Sequence, residues 1–266
     1  YFLRNQQRSI PVTKGFAMNK KLTVLLGIVL LILNVGCTGS FSSKDDSMTP
    51  QTRDVFAMDT YMTVTAYGKG ATEAVDQAAD EISRLDQLLS TGNEDSEIYK
   101  INQSGDGILS EETAYLVERS LDLYEATDGA FDIAIYPVMK AWGFTDDNFR
   151  VPDADELKDL LTLTDASDIS YDKDTSQIAF KKDGMQIDFG GIAKGYTSAR
   201  IMDIFRACGI KSGLVNLGGN VQALGTKKDG SSWRVAVKDP QDTDQYLGVL
   251  SIQDKAVITS GGYERY

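Results

Sequence analysis

Asp188 and Lys194 flank a glycine pair in the stretch Gln186-Ile-Asp-Phe-Gly-Gly-Ile-Ala-Lys-Gly-Tyr196. The pattern predicts a short apolar strand closed by Asp188, a tight turn at Gly190 and Gly191, and a helix carrying Lys194 in its first turn. The helix dipole disfavours a cation at that position. It favours a phosphate, and glycines let backbone N–H and C=O groups approach a ligand closely. Lys194 would then be held for a phosphate or a ring edge, and Asp188 for a donor on the same ligand. The competing reading is a plain glycine turn with a solvated lysine, because one glycine motif is a weak signal. Asp132 is a second candidate. It lies inside the apolar run Ala130-Phe-Asp-Ile-Ala-Ile-Tyr-Pro137, where a charge is costly without a partner. Its competing reading is a cap for a helix over Ile133–Trp142.

Composition removes several chemistries. The chain has 266 residues, 42% of them hydrophobic, enough for one large domain or two small ones with a true core. A formal charge of −12 opposes nucleic-acid binding, which depends on neutralising phosphates. Histidine is absent, which excludes Ser-His-Asp and Cys-His catalysis and His-ligated zinc within these residues. Cys37 and Cys208 make neither a metal spacing nor a disulfide framework. Any metal should be a hard, oxygen-bound cation such as magnesium.

The elements that must position these residues follow from periodicity. Arg53–Tyr67, rich in Val, Thr, Tyr and Phe, reads as a strand. Thr72–Leu88 repeats its apolar residues at helical spacing. Ser96 caps a short helix through Asn102, and Ser110 starts another that runs to about Thr127 and breaks at Asp128-Gly129. Pro152–Thr162 reads as a helix, and Ile169–Phe189 as short strands. Ala193–Cys208 reads as a helix stopped by Gly209, with Cys208 a buried small hydrophobe. Ser212–Leu217 is a strand. Gly218-Gly219-Asn220 is a turn, either approaching a ligand or closing a simple hairpin. Trp233–Lys238, Gln245–Ile252 and Ala256–Ser260 complete a strand-rich end. Without a regular βαβ rhythm, the expected class is α+β, with mixed, largely antiparallel sheets and packed helices.

The N-terminus reads differently. Met18-Asn-Lys-Lys opens a positive patch, Leu22–Val35 is apolar, and a small residue precedes Cys37. These features fit a secretory signal over 18–36. The competing reading is a membrane helix, against which the run falls short of the ~20 residues that a span needs. Ending on cysteine, the segment resembles a bacterial lipoprotein signal, with Cys37 the lipidated residue and 37–52 a flexible tether. Residues 1–17 read as translated upstream sequence.

Taken together, Met58-Asp-Thr-Tyr-Met62, Leu89-Ser-Thr91 with Ser96-Glu-Ile98 and Asn102, Thr127-Asp-Gly-Ala-Phe-Asp132, Ile187-Asp-Phe-Gly-Gly-Ile-Ala-Lys-Gly195, Val215-Asn-Leu-Gly-Gly-Asn220 and Thr259-Ser-Gly261 resemble the ApbE family, the FAD:protein FMN transferases, often called flavin-trafficking lipoproteins. The resemblance runs from about Arg53 to Tyr266. It implies magnesium-dependent transfer of FMN from FAD to a threonine or serine hydroxyl of an exported or membrane flavoprotein subunit, with AMP leaving. It implies an exported protein anchored to the outer face of the cytoplasmic membrane by lipid on Cys37. Residue by residue, Met58 matches the family's flavin-contacting methionine. Ala130, Phe131 and Asp132 match its FAD-binding triplet, and Asp188 and Lys194 two further FAD contacts. Gly191 matches the position whose backbone carbonyl binds the metal. The FAD is expected in a cleft between two subregions, and Asp132 and Asp188 are the candidate bases.

Phosphoryl transfer needs positioning and charge neutralisation more than covalent help, so the want of an activated Ser or Cys agrees with this class. Two departures stand out. The family often has an aromatic contacting the nucleotide where this chain has Gly92. Beyond Gly-Gly-Tyr-Glu-Arg-Tyr266 it continues into a histidine-containing segment and an Asp-Pro-x-Thr-Gly motif, whose aspartate and threonine ligate metal. The 53–266 domain is therefore expected to lack its C-terminal part, to bind magnesium poorly and to transfer little or no FMN. The alternatives are a non-catalytic flavin-binding lipoprotein and an FAD pyrophosphatase giving FMN and AMP.

Overall fold

The computed structural model describes residues 49–146, 148–242 and 244–260. In chain order these form strands β1 (Gln51–Ala57) and β2 (Thr60–Tyr67), then helices α1 (Ala71–Leu89) and α2 (Glu97–Ser104). Strand β3 (Asp106–Ile108), helix α3 (Glu111–Ala126), the 3-10 turn Ile133–Ile135, α4 (Tyr136–Ala141) and α5 (Ala154–Leu161) follow. After the 3-10 turn Ala166–Asp168 come β4 (Ile169–Asp172), β5 (Gln177–Phe180) and α6 (Ala193–Ala207). Strands β6 (Ser212–Leu217), β7 (Asn220–Gly225), β8 (Trp233–Lys238), β9 (Tyr246–Ile252) and β10 (Ala256–Ile258) complete the set. The class is α+β, and every strand pairing is antiparallel. None of the described helices is long and apolar enough to cross a membrane.

The central sheet runs β1-β2-β6-β7-β10. Alternation along its strands sends Met62, Val64, Ala66, Val215, Leu217 and Leu224 to one face. There they meet Ala74, Val75, Ala78 and Ile82 of α1 and Ile201, Met202 and Phe205 of α6. Leu214, Val221 and Ala223, displaced by one residue, face the other way onto the β8–β9 hairpin through Trp233, Val235 and Ile252. This is the period-2 rule of a sheet covered on both sides. A second core lies under α2 and α3, where Ile98, Leu116 and Val117 pack on Ile178, Met185, Ile187 and Phe189. Met58 touches both cores.

Four expectations change. Arg53–Tyr67 is not one strand, because Met58 (φ +48°) and Asp59 (φ +56°) both lie in the left-handed region and fold it into a hairpin. A two-residue turn of this kind matches the twist of its strands. The first strand begins at Gln51, inside the stretch expected as tether. Cys208 is only half-buried, because it sits at the helix C-terminus, where its thiol faces Gln77. The Ile133–Trp142 helix is broken into a 3-10 turn and the short α4. Elsewhere boundaries shift by a residue or two. Gly209 (φ +73°) ends α6, with Ile210 N–H donating to the Phe205 carbonyl as a Schellman cap does. Cys37, the signal segment and Gly261–Tyr266 lie outside the described residues.

Candidate functional site

Gln186–Phe189, expected as a strand, pairs with no strand. It is extended, and a side chain satisfies its backbone. Asn102, at the inner face of α2, accepts from the Ile187 N–H (2.8 Å) and donates to the Ile187 carbonyl (2.8 Å). A carboxamide has one acceptor and one donor group at the spacing of a neighbouring peptide, so Asn102 takes the place of the missing strand. The Asp188 N–H then donates to the Ile133 carbonyl at 2.9 Å, and Gln186 Nε2 to the Asn102 carbonyl at 3.1 Å. Ile187 and Phe189 point into the second core. Asp188, between them, faces the opposite way.

The Asp188 carboxylate is half-buried, and its Oδ1 accepts from the Gly190 N–H at 2.7 Å. Burial raises its pKa. The Gly190 N–H opposes that shift, the nearby Asp59 adds to it, and Lys194 lowers it. Asp59 from the first hairpin, Asp188 and Lys194 therefore share one electrostatic neighbourhood. The glycine pair is required by space rather than by φ. A Cβ on Gly190 would stand 2.7 Å from Asp188 Oδ1, and one on Gly191 would stand 2.9 Å from Phe131 Cε2. Among the described residues no donor reaches the Gly191 carbonyl.

Phe131 is half-buried beside Gly191, and Ala130 is exposed. The Phe131 N–H is held by Thr127 Oγ1 at 2.9 Å. Asp132 takes up its capping role: Oδ1 accepts from Ala134 N–H (2.7 Å) and Oδ2 from Ala166 N–H (3.1 Å). Burial raises its pKa, and those two amides oppose the rise. With both oxygens engaged by backbone, Asp132 anchors the segment that carries Phe131, whereas Asp188 keeps an oxygen with no described donor.

The hairpin turns close the same end of the central sheet. Met58 N–H donates to Asp86 Oδ1 at 2.8 Å, fixing the first turn to α1. Gly218 (φ +61°) and Gly219 (φ +90°) close β6 to β7 as a simple hairpin. Asn216 Oδ1 accepts from the Gly219 N–H at 2.9 Å. Gly218 is packed so close to Thr60 that a Cβ would lie 2.4 Å from Thr60 Oγ1. Asn220, 6% exposed, keeps its Oδ1 buried and without a partner among the described residues. A buried acceptor of this kind is costly unless something donates to it. Asp59, Asn102 and Asn220 stand inside the motifs quoted above, but the sequence assigns none of them a role of its own. The left-handed Met-Asp turn gives no glycine signal, and a buried asparagine resembles a surface one in a single sequence.

The donor set of this end comprises the Gly191 carbonyl and the Asp59 and Asp188 carboxylates, hard oxygens that suit magnesium in kind. Among the described residues no three acidic, histidine or cysteine side chains converge closely enough to hold a metal by themselves. Gly92 lies beside a Ser90-capped turn, and a Cβ there would meet nothing within 4 Å.

Comparison with known proteins fits this picture. A Klebsiella pneumoniae (strain 342) FAD:protein FMN transferase is 33% identical over 189 residues, covering 70% of this chain and 58% of the relative. A Treponema pallidum (strain Nichols) FAD:protein FMN transferase is 32% identical over 264 residues, covering 91% of this chain and 72% of that one. The chain thus spans little more than half the length of the first relative. The crystal structure of an ApbE protein from Thermotoga maritima superposes with a TM-score of 0.78 at 30% identity, over 82% of this chain and 72% of that chain. A Vibrio cholerae flavin transferase, at 23% identity and a TM-score of 0.73 over 82% of this chain and 73% of that one, shares the fold. The sequence model of the ApbE family matches residues 58–266, and the chain belongs to that family.

Proposed function

We propose that this chain carries the flavin-binding part of an FAD:protein FMN transferase. One observation carries the reading: segments far apart in sequence converge on one end of the sheet. Asp59 and Lys194 both act on Asp188 there, and Phe131 closes against Gly191. FAD is the substrate. Lys194 and the N-terminus of α6 oppose the pyrophosphate charge. Met58 and Phe131 offer apolar contact to the flavin ring, and Asn220 Oδ1 is a buried acceptor for a ligand N–H or O–H.

In the proposed reaction a threonine or serine hydroxyl of the acceptor protein attacks the phosphorus on the FMN side of the pyrophosphate. The new oxygen–phosphorus bond forms as the bond to AMP breaks, AMP leaves with the bridging oxygen, and the hydroxyl proton passes to a base. Asp188 suits that base better than Asp132, because one of its oxygens has no donor among the described residues, whereas backbone amides engage both oxygens of Asp132. Magnesium, held through the Gly191 carbonyl and carboxylate oxygens, would supply charge neutralisation at the pyrophosphate. Cys37, as the lipidated residue, would tether the domain outside the cytoplasmic membrane, close to a membrane-bound acceptor.

Two measurements test the reading. Titration of FAD should quench flavin fluorescence, and Lys194→Gln should weaken that binding. Mass spectrometry of an acceptor protein incubated with FAD, magnesium and the protein at the full length of its relatives should then find covalent FMN together with AMP, and little or none with the 266 residues alone. Free FMN with AMP would point to a pyrophosphatase, and FAD binding without either product to a flavin carrier. No FAD binding at all would refute the assignment.

A further inference from the structure

A separate cavity lies at the other end of the central sheet. Tyr67 ends β2, Ser212 begins β6 and Gly225 ends β7, and the three pair side by side in the sheet. The turns at Met58-Asp59 and Gly218-Gly219 close the opposite ends of these strands, roughly 20–26 Å away at the rise of a β-strand. A cavity of about 310 Å³ is lined there by Tyr67, Lys211, Ser212, Thr226, Lys227 and Lys228. That is at the small end of the range for ligand sites.

Its chemistry is cationic in a chain of formal charge −12. None of the three lysines forms an ion pair among the described residues. Asp229, near Lys227, already accepts from Ser231 N–H (2.9 Å) and Ser231 Oγ (2.6 Å). Asp254, on the same side, accepts from the Gly225 N–H at 2.7 Å. Ser212 is 7% exposed, and its hydroxyl is buried without a partner among the described residues. Three lysines around one cavity make it strongly positive, and an unsatisfied buried hydroxyl is unfavourable. An oxyanion with several acceptors relieves both.

We propose that this cavity binds a phosphate group, either of a soluble phosphomonoester or of an anionic lipid headgroup, at a site separate from the glycine turns. Lysines suit phosphate as point charges, and the serine hydroxyl adds a directed donor.

The test uses the full chain carrying Cys37→Ala, so that no lipid of its own interferes. Inorganic phosphate, titrated by calorimetry at fixed ionic strength, should bind. The triple substitution Lys211→Gln, Lys227→Gln, Lys228→Gln should weaken it by about tenfold or more. Lys194→Gln should leave this binding unchanged, which separates it from phosphate held at the glycine turns. Ser212→Ala should weaken it severalfold without lowering Tm, since the hydroxyl has no partner to lose among the described residues. Vesicles supply the second arm. Sedimentation with phosphatidylglycerol vesicles but not phosphatidylcholine vesicles, abolished by the triple substitution, would identify the lipid source. Phosphate binding without vesicle binding would identify the soluble one. Failure to bind either probe, or binding that the triple and Ser212→Ala variants leave intact, overturns the proposal.

Discussion

Replacing Asn102 should damage the protein more than one polar side chain ordinarily does. The residue is 7% exposed, and Ile187, whose N–H and carbonyl it satisfies, is fully buried. Asn102→Leu keeps the branched shape of the side chain but leaves that donor and that acceptor unpaired. At about 1–3 kcal/mol for each buried unsatisfied group, the loss is about 2–6 kcal/mol, a large share of the 5–15 kcal/mol typical of a domain. Urea unfolding followed by circular dichroism should show a lower midpoint with an unchanged slope. Below the transition, FAD affinity should also fall, because Asp188 loses the backbone that aims it. Asn102→Asp supplies a signature of its own. The new carboxylate still accepts from the Ile187 N–H, but it faces the Ile187 carbonyl with a second acceptor. Its folded-state pKa is therefore raised above its unfolded value, and the protein binds more protons folded than unfolded in that window. Stability relative to the parent should then recover as pH falls through the raised pKa. A loss under about 1 kcal/mol for Asn102→Leu, or no recovery of Asn102→Asp in acid, would refute the role given to this side chain.

Asp188 should show a conflict between stability and activity. Its folded pKa is raised, chiefly by burial, so its ionisation opposes folding as pH rises above the unfolded pKa. Asp188→Asn should be more stable than the parent at neutral pH in thermal melts, with the gap closing below the unfolded pKa, while FMN transfer falls. Glu81 and Glu112 act in the opposite sense. Hydrogen bonds from Arg84 hold both carboxyls low, so their contribution fades as pH falls from the unfolded value through the folded one. Arg84→Ala should cost about 1 kcal/mol at neutral pH, because the pairs are partly exposed, and less in acid melts. Gly191→Ala places a methyl against the Phe131 ring and should weaken FAD binding; adding Phe131→Leu should restore part of it, as a double-mutant cycle would measure. Gly92→Tyr fills open space and should tighten FAD binding by about 0.5–1.5 kcal/mol if its ring stacks on adenine, which fluorescence titration would detect.

Local chemistry made much of this molecule legible in its sequence. The α1 and α6 helices follow from apolar residues at helical spacing, and the caps at Ser96 and Gly209 from residue types that fit those positions. The capping of Asp132 follows the reading that its place before Ile133 offered. Signals that depend on distant partners were hidden. Ile187-Asp-Phe has the composition of a strand, and only the position of Asn102, brought across by α2, decides that a side chain completes its hydrogen bonds. Met58-Asp59 reads as strand interior. The register of β1 on β2 forces both residues into the left-handed region, which exposes Asp59 to Asp188. Cys208 belongs to a helix whose apolar face is buried, yet it lies one position too far along to be covered. Sequence by itself determined the family, the α+β class and the residues that bear charge, because periodicity, capping and motif order are local properties of the chain. Tertiary structure alone decided which of those charges meet, since a carboxylate's partners, burial and pKa are set by segments that arrive from far along the chain.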